Sequence, residues 1–297
     1  MNQTVAIFGA TGAQGAPVVS EALNKGLTVR AVARDAAKIG ALHPAATAIS
    51  ASFDDKDSLV AALDGMDAAF VHLPMPQTPE DPARWMQNFF DAAHQVNLPL
   101  LVYTTSASTG DRYPSSPLID ASTQGMQAVL NSGIPAIVLQ PSIYLENLHI
   151  DPFLPHLKTQ GVLDYPPVPE TLKVSWTSHH DQARIAVAAL TRPDLAGQSF
   201  EIATPGAVTG AQLADLLKDY AGQNVRFAPI SPAEFGQRVA DVLQSPATGF
   251  ALTDLYSTLS SMAPDALTID TDAIEALFGV TLTPIAEHLR SWAPVDA

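Results

Sequence analysis

Short apolar runs alternate with amphipathic stretches along the first half of the chain. Val5 to Phe8 is an apolar run that suits a strand buried on both faces. Gly9, Gly12 and Gly15 follow at once, and Ala16 to Leu23 then reads as a helix, with Pro17 tolerated in its first turn. Lys25-Gly26 stops that helix, and Thr28 to Ala33 alternates as a second strand. Ala46 to Phe53, Asp67 to Leu73, Leu98 to Thr104 and Ile134 to Leu139 read as further strands. Asp57 to Leu63, Pro82 to Val96 and Ile119 to Asn131 carry helical periodicity between them. Beyond Pro141 the pattern changes. Residues 151–171 hold Pro152, Pro155, Pro166, Pro167 and Pro169 and read as loop. Val174 to Thr177, Ser199 to Ala203 and Asn224 to Pro229 are short strands, and His180 to Leu190 is a helix with Ser178 as its cap. Thr209 caps a helix running to Ala221, Ser231-Pro232-Ala233-Glu234 is a capping box, and helices follow at about 251–262, 272–277 and 284–291.

Strand and helix alternating through residue 140 predicts an α/β fold, a doubly wound parallel sheet with helices on both faces. The glycines between its first strand and first helix specify the Rossmann type. Gly9 lets the chain turn sharply, Gly12 lets a pyrophosphate approach the backbone, and Gly15 lets helix and strand pack closely. The helix start offers free N–H groups to the phosphates, with Thr11, Ala13 and Gln14 in the turn beside them. The spacing Gly-x-x-Gly-x-x-Gly is one residue wider at its start than the commonest form. Arg34 stands 19 residues after Gly15, where such a fold reads the adenosine ribose. An arginine there suits the 2′-phosphate of NADP, with NAD as the other reading and a pair with Asp35 as the plain structural one. Phe53 and Asp54 end the third strand beside the expected adenine, and Asp54 could equally cap the helix that follows. Leu73 and Pro74 end the fourth strand and Thr105 the fifth, all at the edge where ligands bind in such sheets.

Residues 1–146 thus form an NAD(P)-binding domain and 147–297 a smaller, mainly helical lobe, with 178–203 packing back on the first domain. The chain has 297 residues, 47% hydrophobic and 15% charged, enough for a sizeable core. A net charge of −15 argues against binding nucleic acid or an anionic membrane. Cysteine is absent, which excludes disulfides, thiolate metal sites and cysteine nucleophiles. His179-His180 with Asp181 lacks a third ligand spaced for closure, so no metal is expected. Thr104 to Ser106 lacks the glycines of a hydrolase elbow. Tyr103 reads as structural and Tyr113 as a loop residue. With no membrane-spanning apolar stretch and no signal-peptide pattern, the expectation is a soluble cytoplasmic protein; homodimer assembly stays open.

Gly-Ala-Thr-Gly-Ala-Gln-Gly at 9–15, Val-Arg-Ala-Val-Ala-Arg-Asp at 29–35, Ser-Phe-Asp-Asp at 52–55, Val-Tyr-Thr-Thr-Ser at 102–106 and Gln-Pro-Ser-Ile-Tyr-Leu-Glu-Asn at 140–147 resemble the NmrA-like family of atypical short-chain dehydrogenases. The likeness runs in order from Val5 to about Asn147 and is looser beyond. It implies a Rossmann domain, a smaller substrate lobe and a cleft between them. It also supports assigning Arg34 to the 2′-phosphate. The family comprises NAD(P)H-dependent quinone, dye and isoflavone-type reductases and NADP-binding redox-sensing regulators. Short-chain dehydrogenases use a Tyr-x-x-x-Lys pair. Counted back from Ser132-Gly133-Ile134, the lysine position holds Gln127 and the tyrosine position Thr123. Gln127 can hydrogen-bond a ribose but carries no charge. Two functions follow. One is a reductase passing hydride to a conjugated acceptor such as a quinone, enone or dye, a small hydrophobic or aromatic substrate held by Met75, Tyr144, Asn147 and Trp176. The other is a non-catalytic NADP(H) sensor acting through a protein partner.

Overall fold

The computed structural model describes residues 3–150 and 153–292; Pro152 of the expected loop lies outside them. In chain order, β1 (Thr4–Phe8) leads to α1 (Gly15–Asn24), β2 (Thr28–Ala33), α2 (Ala36–Leu42), β3 (Thr47–Ser50), α3 (Lys56–Leu63), β4 (Ala68–Val71), α4 (Asp81–Gln95), β5 (Leu101–Thr104), α5 (Pro117–Leu130) and β6 (Ala136–Pro141). There follow β7 (Ile143–Tyr144), a 3-10 turn (Leu145–His149), α6 (Leu157–Gln160), β8 (Val162–Leu163), β9 (Val174–Thr177), α7 (His179–Ala189), β10 (Gln198–Ile202) and β11 (Thr204–Val208). The chain closes with α8 (Gly210–Leu216), α9 (Lys218–Ala221), β12 (Arg226–Phe227), α10 (Pro232–Leu243), α11 (Pro246–Ser260), α12 (Thr271–Phe278) and α13 (Ile285–Arg290).

Seven strands form one parallel sheet in the order β10-β6-β5-β4-β1-β2-β3. Its central strands are apolar because helices cover both faces. β4 (Ala68–Val71) and β5 (Leu101–Thr104) are buried at every position. Ile7, Val18, Phe70, Ile137 and Ile185 pack on one face; Phe8, Leu59, Phe89, Leu101 and Val138 pack on the other. Each such side chain contributes about 1.5 to 3 kcal/mol by leaving water. β10 extends the sheet from deep in the second half of the chain, pairing Gln198–Ile202 with Ile137–Pro141, and α7 packs on α1. A second core, with Tyr165, Trp176, Phe235 and Leu213, lies under the helical lobe. A small sheet, β11-β9-β7, joins the two cores. Among the described residues no helix is long and apolar enough to cross a membrane.

Three sequence expectations fail here. α2 was absent from the predicted elements; Asp35 caps it by accepting from Ala37 N–H (3.0 Å) and Lys38 N–H (3.1 Å), and seven residues with a central Gly40 are too short for a clear period. Within 151–171, expected to be loop, the chain forms α6 and β8, short enough to hide between prolines. β11 also escaped the pattern, because Pro205 and Gly206 interrupt its alternation.

Candidate functional site

The glycine turn closes against its own strand. Gly12 N–H donates to Gly9 C=O at 2.8 Å, and the Ala16 N–H donates to Gly12 C=O at 3.0 Å. Gly9 takes φ +69°, and a Cβ there would collide with the His72 imidazole. A Cβ at Gly15 would collide with the Gly9 carbonyl and come within 2.8 Å of Phe8 O, so this glycine sets the helix–strand distance. Gly12 differs. A Cβ there would meet nothing but the Gly9 carbonyl oxygen, at 3.3 Å, and Gly12 and Ala13 are exposed. The start of α1 has no side-chain cap and no acidic residue in its first turn. Its free N–H groups and the open face at Gly12 make a cradle for an anion. His43 lies 3.1 Å from the Ala10 carbonyl through Nε2 and ties the turn to α2.

Arg34 ends β2 and is exposed. It does not pair with Asp35, whose carboxylate caps α2, and among the described residues its guanidinium has no ion-pair partner. Asp54 is a correction: the cap of α3 is Asp55, which accepts from Asp57 and Ser58 N–H. Asp54 Oδ1 instead accepts from Arg84 at 2.8 Å and Trp85 Nε1 at 2.8 Å, bonds that hold its pKa below the usual carboxylate value. Phe53 packs on Phe8, Phe89 and Trp85. Thr105 donates to Ala107 O at 2.9 Å.

At the ends of β4, β5 and β7 the two lobes meet. Gln14 Oε1 accepts from Ser106 Oγ at 3.0 Å and lies 3.0 Å from the Tyr144 hydroxyl, which is itself 2.6 Å from Gln182 Oε1. Ser106 holds φ +60°, an uncommon conformation for a serine, which costs of the order of 1 kcal/mol. Burial raises the Tyr144 pKa well above its ordinary value, so the phenol stays protonated. The His179 ring packs on Tyr144 with centroids 4.6 Å apart. Glu146 Oε1 accepts from His179 N–H at 2.9 Å; its Oε2 lies 3.5 Å from His179 Nδ1, buried, with no hydrogen bond. Burial, with His72 nearby, lowers the His179 pKa to about 4, and burial raises that of Glu146. His72 Nε2 is also buried without a partner, and desolvation keeps that ring neutral.

The remaining expected residues scatter. Thr123 donates to Ile119 O at 2.8 Å and accepts from Gly110 N–H at 3.0 Å, so its hydroxyl is spent within the protein. Gln127 and Met75 are exposed, the latter at 86%. Trp176 does not face an open cleft: it is 1% exposed and sits in the helical lobe's core against Tyr165. Asn147 donates to the Tyr165 hydroxyl at 3.1 Å. Ser106, Glu146, His72, His179 and Gln182 were not singled out as site residues by sequence reasoning; the signal that could have found the first three is their place at or just beyond strand C-terminal ends, where such sheets bind ligands.

Two other arrangements are set aside by geometry. Ser178 Oγ and Asp181 Oδ2 both address one nitrogen, His288 Nε2, at 3.0 and 2.9 Å. A hydrolase relay needs the two ring nitrogens to take separate partners, so this buried trio ties α13 to α7. His179 faces Tyr144 while His180 packs on His288, and among the described residues no group of three His, Asp or Glu could hold a metal.

Comparison with known proteins fits this arrangement. The chain is 28% identical over 292 residues, 97% of its length and 98% of the relative's, to an NAD(P)H azoreductase of Xenophilus azovorans. The NADPH-dependent quinone oxidoreductase of Escherichia coli, solved with NADPH, superposes with TM-score 0.77 at 25% identity, covering 96% of this chain and 98% of that one. The Citrobacter sp. triphenylmethane reductase complexed with NADP(H) shares the fold, with TM-score 0.75 and 19% identity over 97% and 99% of the two chains. The sequence profile of the NmrA-like family matches residues 1–271, and the chain belongs to that family.

Proposed function

We propose that this protein is an NAD(P)H-dependent reductase that binds NADP(H) across Gly9 to Gly15 and passes hydride to a conjugated acceptor such as a quinone, enone or dye. The observation that carries the reading is the cradle at Gly12: the fold leaves that face free while it consumes the space at Gly9 and Gly15. The azoreductase relative, aligned over nearly the whole chain, and the quinone oxidoreductase solved with NADPH support the same cofactor and substrate class. In this reading residues 1–146, with 178–203 against them, hold the cofactor, and the rest of 147–297 shapes the substrate side.

The cofactor supplies the hydride. Backbone N–H groups of Thr11 and of Ala13 to Gly15 would hold its pyrophosphate, and the Arg34 guanidinium, without an ion-pair partner among the described residues, would take the 2′-phosphate. Phe53 and Asp54 border the adenine, with Leu73, Pro74 and Thr105 along the nicotinamide half. Tyr144 reaches Gln14 at the turn from the substrate side. Thr123 and Gln127 supply no acid–base pair, so positioning carries the hydride step. The redox-sensor reading is the weaker one, because an NAD(P)H azoreductase aligns over 97% of the chain and a quinone oxidoreductase solved with NADPH superposes over 96% of it. Following NADPH oxidation against a panel of quinones, enones and azo and triphenylmethane dyes tests the proposal. Turnover with some member is expected; bound NADPH with silence across the panel would overturn it.

A further inference from the structure

A hydride adds two electrons and one proton's worth of hydrogen to its acceptor. A neutral quinone that accepts it becomes a hydroquinone anion and needs one further proton; a cationic triarylmethane dye becomes its neutral leuco form and needs none. The usual tyrosine donor position holds Thr123, whose hydroxyl donates to Ile119 O. Where the ends of β5 and β7 meet α7, a carboxyl and an imidazole nonetheless stand side by side. Glu146 is anchored by His179 N–H on Oε1, which leaves Oε2 buried, unbonded and 3.5 Å from His179 Nδ1. The His179 ring is held against Tyr144, which reaches Gln14 at the cofactor turn.

We propose, on the reductase reading above, that the Glu146–His179 pair delivers the proton that follows the hydride. His179 Nε2–H gives its proton to the acceptor oxygen as NADPH becomes NADP+, and the Glu146 carboxyl proton moves from Oε2 to Nδ1. The imidazole ends neutral in its other tautomer and Glu146 ends as a carboxylate; a solvent proton then enters at Nε2 while Nδ1 returns its proton to Oε2, which restores both groups. His179 is the donor and Glu146 the positioning residue that refills it. The 3.5 Å gap closes when substrate excludes water, as such contacts do on going from the free to the occupied site. The surroundings shift both groups toward their neutral forms. Glu146 faces His179 and Asp181 of α7, His288 of α13 and Tyr144, and burial dominates, raising its pKa. His179 faces His72, just beyond β4, which adds to the same downward shift as burial.

The test compares Glu146→Gln with wild type on a neutral benzoquinone and a cationic triphenylmethane dye, across pH, with NADPH affinity and Tm recorded. Glutamine still accepts from His179 N–H but holds no transferable proton. The ratio of quinone to dye turnover should fall about a hundredfold, the scale of a general acid's contribution. In wild type that ratio should decline as pH rises through the Glu146 pKa, and in the variant it should be flat. His179→Gln should lower the ratio similarly, and serves alone if Glu146→Gln does not fold. A variant ratio and pH profile equal to wild type would overturn the proton path while leaving the reductase reading intact. Wild type that binds NADPH and reduces neither acceptor would overturn both.

Discussion

The two ends of the proposed cofactor crevice are built differently. At the proposed adenosine end, the turn Gly9 to Gly15 and Arg34 are local features: the glycines answer to backbone sterics within one strand–helix unit, and Arg34 is exposed and has no ion-pair partner among the described residues. At the lobe end, Gln14 meets Ser106, Tyr144 and Gln182 from 92, 130 and 168 residues away, and two buried polar atoms, on His72 and Glu146, lack hydrogen bonds. One end is open and rigid by virtue of its backbone; the other is closed by side chains and keeps unsatisfied polar groups. Buried polar atoms without partners cost stability.

The largest effect should come from the backbone end. Gly15→Ala drives a methyl into the Gly9 and Phe8 carbonyls, where neither side can yield. It should destabilise the protein by about 3 kcal/mol, read as a lower denaturation midpoint in urea; an unchanged midpoint would mean that the helix–strand distance is not set there.

The lobe end should show itself in acid. The His179 pKa falls from an ordinary 6.5 to about 4 on folding, so the unfolded chain binds the extra proton between those values. Stability tied to His179 is therefore fully present above pH 6.5 and is lost as pH falls toward 4, by about 2 to 3 kcal/mol. His179→Gln should flatten that limb of the stability–pH curve, and equal slopes in both proteins would refute it.

Legibility in the sequence followed the same division. Apart from α2, the strands and helices of residues 1–140 and the roles of Gly9 and Gly15 came from period and sterics over spans of a dozen residues. Asp54 and Asp55 are adjacent, and which one caps α3 was decided by Arg84 and Trp85, thirty residues on, which draw Asp54 away. Trp176 stands among the expected substrate residues, but all of β9 is buried, and its ring packs on Tyr165 in the second core. His179 carried a visible metal-like pair with His180, while its partner Glu146 lies 33 residues away and has no spacing rule.

Arg34→Ala should weaken NADPH about ten- to a hundredfold, the loss of a charged hydrogen-bonding partner, and leave NADH unaffected; calorimetric titration of both nucleotides checks it, and an equal loss for both would move the 2′-phosphate elsewhere. A smaller effect belongs to Asp54→Asn. Arg84 and Asp54 are each about half exposed, so losing this pair should cost under about 1 kcal/mol of stability by thermal melt.

The central claim is that the open face at Gly12 is reserved for a nucleotide. Gly12→Ala places its methyl where the fold offers only the Gly9 carbonyl at 3.3 Å. The decisive measurement is NADPH titration of this variant beside its thermal melt. A melting temperature within a few degrees of wild type and NADPH affinity reduced at least about tenfold are expected. A variant that melts like wild type and binds NADPH equally well would contradict it.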